Sequence, residues 1–306
     1  MMPPTASLRA LLSASIDYAG MFPPCSLDLA TMLKNQAEYV RSREAWMLNA
    51  CVVPVAQFTA AADYLAPFDL EHPLLLSALG PKTEAAEAFP EALAKTIEQI
   101  DFFRARNGEV VSIRQLEMAL PPNPDLETLK DAQELVANLT AFWEAPPEAA
   151  GRTIDLIATH RAQSDWQTFG YKMRTGGVTP DAFPSSPQIA RALVAPATHQ
   201  VPIKFTAGLH HPIRQFRDEV KTKMHGFLNV LGAAVLAAEH RWDEKQTTQM
   251  LEDEEPGSFT FTDDYFTWRD WKIATDRIEA RRKFVKSFGS CSFDEPREDL
   301  AALNFL

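Results

Sequence analysis

The chain has 306 residues, 46% of them hydrophobic and 23% charged, which is ordinary for a globular protein with a substantial core. A formal net charge of -11, with no basic cluster longer than Arg281-Arg282-Lys283, argues against nucleic acid as a partner and leaves a small-molecule substrate as the expected one. Cys25, Cys51 and Cys291 are odd in number and lack ligand spacing, and no stretch approaches the ~18 apolar residues of a membrane span, so a cytoplasmic chain without disulfides is expected, with homo-oligomerisation left open.

Between residues 10 and 240, short β-type segments alternate with longer helical ones. Strands are expected at 11–18, 47–53, 73–79, 110–118, 139–143, 168–174, 201–206 and 224–230, and helices at 27–41, 84–106, 126–138, 153–163 and 187–195. Ser26, Thr83 and Ser186 mark helix starts, and Gly108 marks an end. Eight strands separated by helices close a parallel barrel, so the expected fold is α/β, a (β/α)8 TIM-type barrel over residues 1–240. An open doubly wound sheet would carry a glycine-rich phosphate turn after its first strand, and IDYAGMFPP is not one.

Residues 241–306 read as a C-terminal hairpin-plus-helix appendage, packed on the barrel in the same structural unit. FTFT and YFTW flank Asp263-Asp264 as hairpin arms, and Asp276 opens a helix running to Gly289. SFGSCSFDEP is expected as an ordered loop, and Tyr265, Phe266, Trp268 and Trp271 as the aromatic attachment to the barrel.

Alternate residues of a barrel strand face its helices and its interior. In the sixth strand Phe169, Tyr171 and Met173 alternate with Lys172 and Arg174, and in the seventh Ile203 and Phe205 alternate with Lys204 and Thr206. The inferred inward set is Asp17, Asn49, Gln115, Glu117, Glu144, Lys172, Arg174, Lys204, Thr206, His225 and Asn229. Most lie toward the carboxyl half of their strands, where TIM-barrel enzymes place their chemistry. A structural barrel fills its interior with Val, Ile and Leu because an unpaired buried charge costs several kcal/mol, roughly. Three acids and three bases therefore point to a reaction or, failing that, to a self-neutralising ion network.

Two strand ends carry a resemblance. Lys172-Met173-Arg174-Thr175-Gly176 and Lys204-Phe205-Thr206-Ala207-Gly208 form K-x-x-T-G and K-x-x-A-G patterns on consecutive strands, which resembles the deoxyribose-phosphate aldolase group of class I aldolase barrels. The resemblance implies Lys172 as the Schiff-base lysine and Lys204 as the group that tunes it. It covers about ten residues, and the third-strand acid of that group is replaced by Ser77. The phosphate-binding glycines are replaced by Leu209-His210-His211-Pro212 and His225-Gly226-Phe227, which puts a phosphorylated substrate in doubt. The phrases IDYAGMFPP, KFTAGLHHP and FGSCSFDEP are also similar to bacterial chains whose likeness supplies no function.

A nucleophilic lysine must lose its proton near neutrality. A cation ~6 Å away at an effective dielectric of ~20 disfavours its charged form by roughly 2.8 kcal/mol, about two pK units. Lys204 and Arg174 act in that direction, whereas Asp17, Glu117 and Glu144 oppose it. Glu117 or Glu144 is the expected general acid/base, with Asp17 beside them in the catalytic set. Arg174, Thr206, Gln115, Asn229, His210, His225, Gly176 and Gly177 are the expected substrate contacts.

Two alternatives stand beside lyase chemistry. No cofactor is favoured, but a divalent metal serving a hydrolase or isomerase would find donors in Asp17, Glu117, Glu144, His210, His211 and His225. A non-catalytic barrel would capture a small acid with Lys172, Arg174 and Lys204. His72, His160, His199 and His240 fall at expected helix ends or loops and are expected to be solvated, and Cys291 to be buried packing.

Overall fold

The computed structural model describes residues 3–164 and 167–306, with the backbone alone for 195–199, so the side chain of His199 lies outside the described residues. In chain order, α1 (Ala6–Leu12), β1 (Ile16–Tyr18), α2 (Leu29–Tyr39), β2 (Leu48–Pro54), α3 (Phe58–Ala61), β3 (Leu74–Leu79) and α4 (Phe89–Asn107) come first. They are followed by β4 (Val111–Ala119), α5 (Leu126–Val136), β5 (Ala141–Glu144), α6 (Ala150–Gln163), β6 (Phe169–Arg174), α7 (Ser186–His199) and β7 (Ile203–Thr206). The remainder comprises a hairpin of β8 (Gln215–Arg217) and β9 (Thr222–Met224), helices α8 (Phe227–His240) and α9 (Glu244–Leu251), and an antiparallel sheet of β10 (Phe259–Phe261), β11 (Tyr265–Trp268) and β12 (Trp271–Ala274). It ends with α10 (Thr275–Arg281), β13 (Val285–Ser290) and α11 (Asp294–Ala302).

Eight parallel strands close in the order β1-β13-β7-β6-β5-β4-β3-β2, so the fold is the expected TIM-type barrel. Its eighth strand, however, is β13 and not residues 224–230. The expected boundary at residue 240 therefore does not end the barrel, which is completed by a strand drawn from the segment read as an appendage.

The reason is visible in both segments. Helix α8 is buried along Phe227–Ala237, packed between the barrel and the three-stranded sheet, and a helix buried on all sides shows the same unbroken apolar run as a buried strand. Strand β13 carries Ser287 and Gly289 on its inward side, where Asp17 and Thr206 need small neighbours, and that composition imitates a loop. The helix expected from Asp276 to Gly289 accordingly stops at Arg281, and SFGSCSFDEP divides between β13, a turn and α11.

Smaller corrections follow the same packing logic. Residues 6–12 form α1, burying Leu8, Leu11 and Leu12 at helical spacing, so the first strand is confined to Ile16–Tyr18. Asp28, rather than Ser26, caps α2 by accepting from the Thr31 amide at 2.9 Å. His160 is buried and stacks on Phe169 at 5.0 Å instead of facing solvent. The hairpin arms gain a third strand, and Trp268 and Trp271 meet Trp242 at 5.6 and 5.2 Å, fastening this sheet to the body. No helix among the described residues is long and apolar enough to cross a membrane.

Candidate active site

The parallel register brings the charged alternation together. Glu144 pairs with Lys172 and Lys172 with Lys204 across adjacent strands, and Asp17 lies opposite Gly289. Inside the barrel, Lys204 Nζ lies 2.7 Å from Asp17 Oδ2 and also contacts Glu117 Oε1. Lys172 Nζ lies 2.8 Å from Glu117 Oε2 and 2.8 Å from Glu144 Oε2. Arg174 Nε extends the chain to Glu144 Oε1 at 3.7 Å.

Neutral donors complete the network. Asn49 Nδ2 donates to Asp17 Oδ1 at 2.7 Å, and Ser287 Oγ donates to Asp17 Oδ2 at 2.5 Å. Ser77 Oγ donates to Glu117 Oε1 at 2.5 Å and accepts from Gln115 Nε2 at 3.0 Å. Ser287 escapes a sequence reading because its strand does. Ser77 was legible only as a residue in place of an acid, whereas the structure makes it a ligand of Glu117.

Three carboxylates and three cations balance formally. Burial pushes the Glu117 carboxyl up, but the charges of Lys172 and Lys204 outweigh it and hold the group well below the usual carboxylate range. Burial pushes the Lys172 ammonium down, but Glu117 and Glu144 outweigh that and hold it above the ordinary lysine range. The cations beside Lys172 thus do not prevail over its carboxylates, and the resting group is an ammonium. Accessibility rises outward: the Lys204 side chain is sealed, that of Glu144 is 24% exposed and that of Arg174 is 51% exposed. Glu144 and Arg174 end their strands, so the network meets solvent at the carboxyl-terminal rim.

Thr206 ends β7 with its Oγ1 toward Gly289. After β6 and β7 the loops touch at Gly176 and Gly208, where a Cβ on either would come within 2.7 Å of the other's Cα, and Gly208 has a φ of +75°. Gly177 packs on Ala182 in the same way. The rim histidines bind α11: His210 Nδ1 lies 3.2 Å from Glu295 Oε2, and His211 Nδ1 lies 2.6 Å from Asp299 Oδ2.

The remaining two members of the inferred inward set are not strand residues at all. His225 donates from Nε2 to the Pro184 carbonyl at 2.7 Å and accepts at Nδ1 from Arg214 Nη1 at 3.1 Å. Burial above all holds its pKa down to about 4, so it is neutral. Asn229 accepts from the Arg214 amide at 2.9 Å and donates to the carbonyls of Met250 and Asp253, each at 2.8 Å, spending its side chain on tying α8 to the residue before β8, to α9 and to the segment after α9. Among the described residues no group of three or more His, Cys, Asp or Glu is arranged to hold a metal ion; Asp17, Glu117 and Glu144 are all engaged by lysine.

No protein-family model matches the chain, and no curated protein matches it. Among solved structures it is similar to xylanase XynB from Paenibacillus barcinonensis, crystallised with a conduramine derivative, at 13% identity over 94% of this chain and 87% of that one, with a TM-score of 0.43. At that distance the likeness says nothing about chemistry, and the barrel assignment rests on the closed strand order itself.

Proposed function

We propose that this barrel is an enzyme acting on a small, polar, anionic carbonyl metabolite by aldolase-like carbon–carbon lyase chemistry through Lys172. The observation that carries the reading is the placement of Lys172 between buried Glu117 and rim-exposed Glu144, beside a second fixed lysine. Arg174 at the rim would meet the anionic end of the substrate. Lys172 would pass a proton to Glu144 and attack the carbonyl carbon, and Glu144 would return that proton to the carbinolamine hydroxyl, which leaves as water to give a protonated imine. That imine keeps the single positive charge that Glu117 already neutralises, so the buried ion balance survives the reaction. The imine then accepts the electron pair of the breaking carbon–carbon bond as an enamine while Glu144, ionised again, takes the proton of the β-hydroxyl; protonation of the enamine carbon and hydrolysis of the imine then free Lys172.

Borohydride trapping with a panel of small aldehydes and keto acids, followed by mass mapping, tests this reading. An adduct at Lys172 supports it. No adduct, or adducts only on exposed lysines, overturns it.

A second reading draws on the raised pKa of Lys172: an ammonium that stays charged serves an acid-binding barrel, or donates a proton without forming an imine. Saturable binding of a small acid, lost in Lys172→Met and unaccompanied by borohydride trapping, would select it.

A further inference from the structure

The opposite, amino-terminal end of the barrel carries a cleft of about 720 Å³. Asn49, Gln115 and Phe142 from the strands line it, with Trp46 and helix α1 among its other surfaces. Its charge is one-sided: Arg9, Arg114, Arg282, Lys283 and Lys286 face a single carboxylate, Glu279, in a chain whose net charge is -11. Among the described residues Arg9, Arg114, Lys283 and Lys286 have no ion-pair partner.

Arg282 sits at the centre of this arrangement in chemical terms. Its Nη1 donates to the carbonyls of Val285 and Lys286, and its Nη2 to that of Ser13 at 3.0 Å, which fixes the guanidinium in one pose. Its Nε is buried with no hydrogen-bond partner. Burial lowers the pKa of Arg282 to about 10, and burial, then Arg282 and the neighbouring cations, lowers that of Lys286. Arg282 nevertheless remains charged at neutral pH, so the cleft holds positive charge that protein carboxylates leave uncompensated.

A volume of this size takes a small organic ligand, and Arg forks beside lysines recognise phosphate oxygens. Five cations against one carboxylate favour a multiply charged anion over a monocarboxylate, and the indole and phenyl surfaces suit an organic body. The concave shape and the chain's net charge of -11 disfavour a nucleic-acid duplex. We propose that the amino-terminal cleft binds a small phosphate ester or diphosphate, at the end of the barrel opposite the rim where Glu144 and Arg174 meet solvent.

Isothermal titration of the full chain with pyrophosphate, inorganic phosphate and citrate tests this. One-site binding of pyrophosphate is expected, tighter than that of inorganic phosphate, with the double variant Arg114→Gln/Lys286→Gln weakened about tenfold or more by loss of two charge-assisted contacts. Lysine acetylation needs no variant: pyrophosphate should protect Lys283 and Lys286 and leave Lys34 and Lys95 unprotected. No saturable binding by the wild type, affinity unchanged in the double variant, or protection spread evenly over all lysines would each overturn the proposal, as would duplex DNA competing more strongly than pyrophosphate.

Discussion

Glu117 Oε2 lies 2.8 Å from Lys172 Nζ with both side chains almost wholly withdrawn from solvent. The other oxygen of the same carboxylate is taken by Lys204, so one acid on β4 bridges two lysines on β6 and β7.

Glu117→Gln leaves the two lysines with only Asp17 and Glu144 as counter-ions, and should destabilise the fold by about 3–5 kcal/mol, the usual penalty for breaking a buried pair. Urea unfolding at pH 7 measures it. Because the folded pKa of Glu117 is depressed, its contribution is present above the unfolded carboxylate value near 4.3 and is lost as pH falls toward the folded one. The gap between wild type and variant should therefore be constant from pH 5 to 8 and narrow only in stronger acid. A gap that closes already at pH 5 contradicts the assignment.

The raised pKa of Lys172 sets the sign of any imine chemistry in the absence of other changes. Its neutral fraction should climb about tenfold per pH unit and still be climbing at pH 10. Cyanoborohydride trapping rates from pH 7 to 10 report this directly. A plateau near pH 7–8 would mean that Lys204 and Arg174, rather than the carboxylates, govern the amine.

Glu144 is the only carboxylate of the network that both touches Lys172 and meets solvent. Glu144→Gln should lower kcat by roughly 10²–10⁴-fold, the range for loss of a general acid/base, with a small change in melting temperature. Equal kcat in variant and wild type would remove it from the proposed proton path.

His225 is buried and neutral, with a pKa of about 4 against 6.5 when unfolded. Its unfolded state takes up a proton first on acidification, so stability is full above about pH 6.5 and declines below it; the loss between pH 7 and pH 5 should be about 2 kcal/mol. His225→Gln should flatten that part of the stability profile, as chemical denaturation at pH 5, 6 and 7 will show. An unchanged slope counts against a neutral His225.

Cys25 and Cys291 are free thiols with Sγ atoms 2.7 Å apart, and His210 Nδ1 lies 3.9 Å from Cys291 Sγ. Diamide should take two hydrogens from this pair, and mapping without reductant should recover a Cys25–Cys291 cross-link. In Cys25→Ser the remaining Cys291 should resist thiol reagents, since burial above all raises its pKa to about 12. Cross-links involving Cys51 instead would contradict the geometry.

Much of the candidate site could be read from alternation alone. Lys172 and Arg174, Lys204 and Thr206, and Gln115 and Glu117 stand at two-residue spacing among apolar neighbours, and a strand's pleat sends such residues to one side. The same rule misplaces His225 and Asn229, because the segment that holds them is not a strand. The rule is sound only where the element is right, and an apolar run buried on every side leaves helix and strand indistinguishable.

The sequence by itself determined that this chain forms a parallel β/α barrel and that opposite charges line its interior, because both follow from local period and from the cost of burying charge. Tertiary structure alone decided which segment closes the barrel and whether Lys172 rests charged. Strand pairing joins residues as distant as Asp17 and Gly289, and a lysine's protonation depends on distances of a few ångströms to carboxylates on other strands.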